Sequence, residues 1–382
     1  MTEKLYYSDG EMREFTARVL SCEPDGDAYA VVLDRTAVFP GGGGQDADCG
    51  RLAGVEITGM REEGETIYHI LPSPLEAGSE IHGEVDWAVR FPRMQGHSGE
   101  HIFSGTVHRL FGAENVGFHM GADTMTLDFS VELSAEDVAL AEFEANRAVW
   151  RNLPINSLLP SADELEHMAY RSKKELSGQV RIVEIPGVDM CACCAPHLLH
   201  TGEIGAIKVL DFMRHRGGTR LTLVCGEAAY RDYAALHLVN ARVSAALSAK
   251  RLETDAAVER IMRESEAKHA EITRLRREIL ALKSASLPET EGNLCLFEPD
   301  LDTTTLRELV NAGVEKCSGI CAGFTGADGD YKYIIGSRTV DLRAAAREIN
   351  AAIDGRGGGS SAMIQGTSRA GRAAIEAYFA GV

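Results

Sequence analysis

Apolar and polar positions alternate between residues 14 and 39, first through Phe15, Ala17 and Val19 and then through Ala28 to Leu33, with the turn-forming run "EPDGD" between them. A period of two sends successive side chains to opposite faces of a strand, so this region predicts a β-hairpin. Short strand-like runs at 54–58, 66–71 and 80–85, separated by glycine, proline and acidic turns, extend it to a small β-barrel domain over 1–90 that carries the glycine-rich run "PGGGGQDADCG". From 91 to 228 the periods mix. A helix around "QGHSGEHIFSG", a strand at "TMTLDF", a helix opening at Ser134 with Asp137 placed for a capping box, and strands near Val180 and Ile207 make this part α+β.

Residues 229–287 lose the strand period altogether. Val258, Ile261, Ser265, Lys268, Ile272, Leu275, Ile279 and Leu282 recur at steps of three and four, the spacing of a coiled-coil seam, and Pro288 closes the run. A helical hairpin within the chain and a zipper between two chains both fit that seam. A mixed α/β domain over 288–382 follows, with "GRGGGSSAMIQG" read as a glycine loop between helices and braced by Arg343, Arg347, Arg356, Arg369 and Arg372.

Length and charge narrow the picture. A chain of 382 residues is too long for one small core. No apolar run approaches the roughly 18 residues of a membrane span, and the first residues lack a signal-peptide core, so no membrane partner and a cytoplasmic location are expected. The net charge of −18 argues against indiscriminate nucleic-acid binding, which needs lysine and arginine against phosphate. Any nucleic-acid partner must be held by local patches.

The chemistry concentrates in two places. His97, Glu100 and His101 spell H-x-x-E-H, the inverted zinc-protease signature, whose third ligand would be a downstream glutamate such as Glu175. The same letters contain H-x-x-x-H, half of a different zinc site. "CACCAPHLLHTGEIG" supplies soft donors: Cys193 and His197 form C-x-x-x-H, so His97, His101, Cys193 and His197 together make a tetrahedral donor set of the kind zinc prefers. Cys191 with Cys194 is the alternative, a C-x-x-C redox or zinc-knuckle pair. Four consecutive glycines, Gly41, Gly42, Gly43 and Gly44, are either a barrel corner or part of a binding site.

Taken in order, "LDRTAVFPGGGGQDADCG", "VDWAVRFPRMQGH", "GHSGEHIFSG", "GFHMGADTMTLDF", "CCAPHLLHTGEIGAIKVL", "GGTRLTLVCG" and "GRGGGSSAMIQG" resemble the editing domain of alanyl-tRNA synthetase and the free-standing alanyl-tRNA editing proteins of the AlaX group, in their long form. The likeness covers nearly the whole chain. It implies a trans-editing hydrolase that deacylates mischarged tRNA(Ala), chiefly seryl-tRNA(Ala) and also glycyl-tRNA(Ala), with one Zn2+ per chain on His97, His101, Cys193 and His197. It also implies Thr36 as a hydroxyl in the amino-acid pocket and Gln45 as an amide toward the terminal adenosine, with Gly41–Gly44 and Arg356, Gly357, Gly358 and Gly359 as substrate contacts. The chain departs from the pattern at Ser98 and Glu100, inside the first histidine pair, which adds both as catalytic candidates. Cys194-Ala195-Pro196 stands where many members have G-G-T. A homodimer through the helical linker or the C-terminal domain is a further expectation. The rivals are an inverted-motif metallopeptidase, a zinc-stabilised RNA-binding module without hydrolysis, and a phosphoesterase, which would need a D-H-H cluster that the chain lacks.

Overall fold

A computed structural model describes residues 1–121, 124–172 and 180–381. The chain divides into two compact units, Met1–Arg242 and Val243–Val382. The first unit contains both the strand-rich segment and the α+β segment read from the sequence.

Seven antiparallel strands open the first unit: β1 (Glu14–Asp25), β2 (Ala28–Leu33), β3 (Gly50–Leu52), β4 (Val55–Glu56), β5 (Gly59–Glu63), β6 (Thr66–Leu71) and β7 (Glu80–Val85). Their order is β4-β3-β7-β1-β2-β6-β5. The long strand β1 serves two neighbours: Glu14 to Arg18 pair with β7, and Val19 onward pairs with β2 after a register shift between Val19 and Ser21. A bulge there bends the strand and turns the sheet around its core of Phe15, Val19, Val31, Leu33, Leu52 and Leu71. This order leaves β4 and β5 as edges, so the expected barrel is a sheet with two ends.

Helix α1 (Trp87–Phe111) begins where the strand pattern ends, so its first turn lies before the domain boundary drawn at residue 91 from the sequence. Asp86 caps it by accepting the Ala88 N–H at 3.0 Å, and Pro92 lies in its second turn, where it removes one backbone bond. Gly112, in the left-handed region at φ 65°, ends it. Its middle, Met94 to Val107, is buried on every side. It packs on helix α2 (Ala135–Trp150) and on the antiparallel sheet of β8 (Asn115–Met120), β9 (Met125–Phe129), β13 (Ile207–His215) and β14 (Gly218–Cys225), ordered β8-β9-β14-β13. A smaller sheet, β10 (Asn156–Leu158), β11 (Ile182–Ile185) and β12 (Asp189–Ala192), meets α1 through β12. Ser134 and Asp137 form the reciprocal capping box on α2.

Helix α3 (Glu227–Leu247) carries the chain across the boundary, and α4 (Thr254–Ser286) runs unbroken for 33 residues. Beyond it lies a sheet of β15 (Leu294–Phe297), β16 (Ile320–Ala327), β17 (Asp330–Ser337), β18 (Gly355–Gly359) and β19 (Met363–Ser368), ordered β15-β16-β17-β19-β18. Helices α5 (Thr303–Val314), α6 (Leu342–Ala352) and α7 (Arg372–Gly381) complete this unit around Phe324, Tyr333, Ile335, Ile349, Ile364 and Phe379. The run "GRGGG" is therefore strand β18 at a sheet edge and not the loop read from the sequence. No helix among the described residues is long and apolar enough to cross a membrane.

Candidate metal centre

Four residues distant in sequence converge where α1 passes the segment after β12. The ligand atoms of His97, His101, Cys193 and His197 lie within 4.8 Å of one another, and all three histidines are buried. His97 Nε2 and His197 Nε2 approach Cys193 Sγ at 3.5 and 3.3 Å. The i, i+4 spacing of His97 and His101 aims both rings from one face of α1. The other pair arrives on a short segment that the buried Arg181 holds by donating to the carbonyls of Cys193 and Ala195 at 3.2 and 2.7 Å.

Each imidazole is fixed through its far nitrogen. His97 Nδ1 donates to Gln45 Oε1 at 2.8 Å and His101 Nδ1 to Asp189 Oδ2 at 3.0 Å, and His197 Nδ1 shares a hydrogen bond with Ser98 Oγ at 3.1 Å. With these three nitrogens engaged, the three Nε2 atoms are left to face Cys193 Sγ. This is the outer-shell pattern that orients histidine ligands around a metal. Asp189 is itself held by a two-pronged bond from Arg171, at 2.8 and 2.9 Å. Burial alone would push the Cys193 thiol up, but His97, His197 and His101 outweigh it and hold the thiol well below its ordinary range. Burial would likewise lower His101, yet Asp189 and Cys193 raise it to about 9, whereas burial wins at His197 and lowers it to about 3. A thiolate beside a protonated imidazole is poised to exchange that proton for a cation. Three imidazole nitrogens and one thiolate, buried and pre-oriented, fit a tetrahedral ion.

The glycine-rich run covers this cluster. Gly41 to Gly44 all have positive φ, between 62° and 133°, and Gly42 bridges Gln45. A Cβ on Gly42 or Gly43 would meet Cys194 Sγ at 3.8 or 3.7 Å, and one on Gly44 would strike the Phe118 ring at 2.5 Å. That ring lies 5.2 Å from His97. The loop is anchored by Asp48, which accepts from the Phe39 N–H at 2.8 Å and forms a fully buried ion pair with Arg90 of α1.

The other sequence candidates fall at graded distances from the cluster. Gln45 touches it directly, and its Nε2 is a buried donor with no hydrogen-bond partner among the described residues. Ser98 orients His197 and accepts the Leu198 N–H at 3.2 Å. Glu100 binds Ser104 and Asn115, each at 2.7 Å, with its other oxygen 3.9 Å from His101 Nε2. Thr36 is bonded to His69 Nε2 at 3.0 Å and to the Val38 N–H, not to a metal ligand. Nearby, Tyr6, Phe39, Ile67 and Ala195 form a buried cluster against which Cys193 and Cys194 pack. Arg356 and Gly357–Gly359 belong to the second unit. Glu175 lies outside the described residues. Cys194 faces the glycine loop, while Cys191 sits beside Asp189 and His101. Asp189 and Arg171 were not found from the sequence. The signal for Asp189 was the alternation Asp189, Cys191, Cys193, which puts all three on one face of β12 and its extension.

Residues 180–221, which carry Cys193 and His197, match the family model described as "Threonyl and Alanyl tRNA synthetase second additional domain". The alanyl-tRNA editing protein AlaX-M of Methanosarcina acetivorans is 36% identical over 231 residues, 55% of this chain and 92% of its own length. The AlaX-L protein of Pyrococcus horikoshii is 26% identical over 396 residues, covering 96% of this chain and 94% of its own. The alanine-tRNA ligase of Pyrococcus furiosus is 33% identical over 296 residues, 74% of this chain but only 32% of the ligase. This chain thus spans about a third of that ligase and nearly all of the AlaX-L protein. It belongs to the alanyl-tRNA editing protein family.

Proposed function

We propose that the protein is a zinc-dependent deacylase acting in trans, in the cytoplasm, on mischarged tRNA(Ala), chiefly seryl-tRNA(Ala) and also glycyl-tRNA(Ala). The observation that carries this reading is the convergence of three oriented Nε2 atoms and a thiolate beneath a glycine loop that also presents the unpartnered Gln45 amide. One Zn2+ on His97, His101, Cys193 and His197 would supply positive charge to polarise the ester carbonyl or an attacking water. An aminoacyl ester is already activated, so the protein's own task is to place the carbonyl and stabilise the developing oxyanion. Gln45 Nε2 is the donor available for that. Ser98 and Asp189 act one step back, by fixing His197 and His101, and Glu100 is the nearby carboxylate for proton transfer.

Selecting serine over the smaller alanine needs a polar group, because size cannot exclude alanine. Thr36 has the right constraint. His69 Nδ1 lies 3.3 Å from the Val31 carbonyl, so that nitrogen carries the proton and Nε2 accepts from the Thr36 hydroxyl. With its proton given to His69 and one lone pair taken by the Val38 N–H, Thr36 keeps one lone pair, an acceptor for the serine hydroxyl. Thr36→Val is expected to lose about 1 to 2 kcal/mol of seryl over alanyl preference with metal retained. In the second unit, Arg356 and the exposed edge strand Gly357–Gly359 would contact tRNA.

Deacylation of purified seryl-tRNA(Ala), with casein digestion as the counter-assay, tests the reading. Release of serine that is lost in Cys193→Ser and His101→Ala supports it. Casein cleavage without ester hydrolysis would return the H-x-x-E-H motif to a metallopeptidase.

A further inference from the structure

We propose that a cavity beside the metal cluster, lined by Arg181, holds a phosphate group of the tRNA acceptor end; the assignment to tRNA rests on the function proposed above. The cavity has a volume of about 300 Å³, and its lining includes Tyr7, Ser8, Ser157, Arg181, His197 and Leu199. It lies wholly in the first unit. His197, one of the four candidate ligands, is thus part of its wall.

Arg181 gives this cavity its chemistry. Only 6% of the residue is exposed. A buried guanidinium is normally matched by a carboxylate, because an unpaired charge away from water is costly. The buried Arg90 is matched by Asp48 and the nearly buried Arg171 by Asp189, but among the described residues no carboxylate pairs with Arg181. Its partners are neutral. Nε donates to Ser157 Oγ at 2.7 Å, Nη1 donates to the Cys193 and Ala195 carbonyls, and the guanidinium lies 5.1 Å from the centre of the Tyr7 ring. The Ser157 hydroxyl is itself fully engaged, since it also donates to the Tyr7 carbonyl at 2.7 Å. This leaves Nη2, with two N–H groups that have no partner among the described residues.

A cation without a counter-charge, offering a free nitrogen to a polar cavity, selects an anion with several acceptor oxygens, and phosphate meets arginine in this way. The place of the cavity says which phosphate. Arg181 holds the Cys193 and Ala195 carbonyls, and Cys194 between them faces Gly42 and Gly43, so the cavity and the glycine loop flank one short segment. An ester at the metal cluster and the phosphate of the same terminal nucleotide are one ribose apart. In a chain of net charge −18, phosphate needs such a local cation. A contact of this kind positions the nucleotide without reading its base.

Two measurements on the full, metal-loaded chain test this. In a phosphorus NMR titration inorganic phosphate should bind the wild type, and Ser8→Glu, which brings a carboxylate to the cavity wall, should weaken that binding on the order of tenfold or more. Arg181→Lys keeps the charge but loses the forked donors, and should weaken it similarly, with metal analysis checking that the Cys193 segment still binds its ion. In the second measurement the wild type should hydrolyse the seryl ester of adenosine with a kcat/KM on the order of tenfold higher when the adenosine carries a 5′-phosphate. Ser8→Glu should bring the ratio of the two esters close to one, and a general loss of fold cancels in that ratio. Phosphate binding that is absent from the wild type, or that survives in Ser8→Glu, overturns the site. Binding with no preference between the esters overturns the tRNA assignment and leaves the cavity to free phosphate. Hydrolysis of neither ester overturns the deacylase reading on which that assignment rests, while the titration alone decides whether the cavity is an anion site.

Discussion

The four glycines Gly41–Gly44 occupy φ values from +62° to +133°, whereas Gly355–Gly359 run extended as β18 with no positive φ. In the first stretch glycine is needed for the backbone itself, because side chains are disfavoured in that region. In the second the backbone would accept any residue, and the need is for space. A Cβ on Gly357 would collide with Tyr333 Oη, the Gln365 carbonyl and Gly366, while one on Gly358 would meet nothing within 4 Å. Two runs of similar composition are thus kept by different forces. The difference extends to their surroundings: the first run covers a buried polar cluster, and the second edges a sheet with an apolar core.

Metal removal is the strongest way to separate the two regions. Both tryptophans, Trp87 and Trp150, lie in the first unit, so their fluorescence reports it alone. Chelation should lower the stability read by tryptophan by about 4 kcal/mol, the linkage expected when a ligand is present at roughly a thousand times its dissociation constant. Hydrogen exchange in β16 and β17 of the second unit should not change. Equal losses in both units would mean that the cluster is not what holds the first one.

Acid should separate them next. Burial lowers His69 from its ordinary 6.5 to about 4, against a hydrogen bond to the Val31 carbonyl that favours the charged form. Above pH 6.5 the ring is neutral in folded and unfolded chains alike. As pH falls below that, the unfolded chain takes up a proton that the folded one refuses, so stability is lost between about 6.5 and 4. At about 1.4 kcal/mol per unit the loss is roughly 3 kcal/mol. His69→Gln should flatten this part of the tryptophan-monitored profile. Residues 288–382 contain no histidine, so this part of the second unit should lack this slope. An unchanged slope in His69→Gln would assign the acid sensitivity to other groups.

The same contrast explains what could be read in the sequence. His97, His101, Cys193 and His197 were legible because two i, i+4 motifs carry their geometry locally, and the Ser134–Asp137 box and the α4 seam were legible for the same reason. The Arg90–Asp48 pair, 42 residues apart, and the Thr36–His69 bond, 33 apart, depend on how distant segments of the chain come together, which no local pattern encodes. Strand β18 was read as a loop because glycine is weighted as a turn former. Its cause is the close approach of β19 and Tyr333, a tertiary fact.

Alanine substitution is the finest test, and it should give three different answers. Gly44→Ala meets both penalties, the left-handed backbone and the Phe118 ring, and should cost about 3 kcal/mol. Gly357→Ala meets only the steric one and should cost about 2 kcal/mol, within the range of overpacking. Gly358→Ala meets neither. Its ideal Cβ enters open space on an extended backbone, and alanine restricts the unfolded chain, so stability should hold or rise by about 0.5 kcal/mol. Thermal melts of the three variants give the ranking, and tRNA affinity gives a second readout for the last. Weaker tRNA binding by a fully stable Gly358→Ala would mean that RNA lies against this strand, whereas a stability loss as large as that of Gly357→Ala would mean that backbone freedom, not space, is what both glycine runs require.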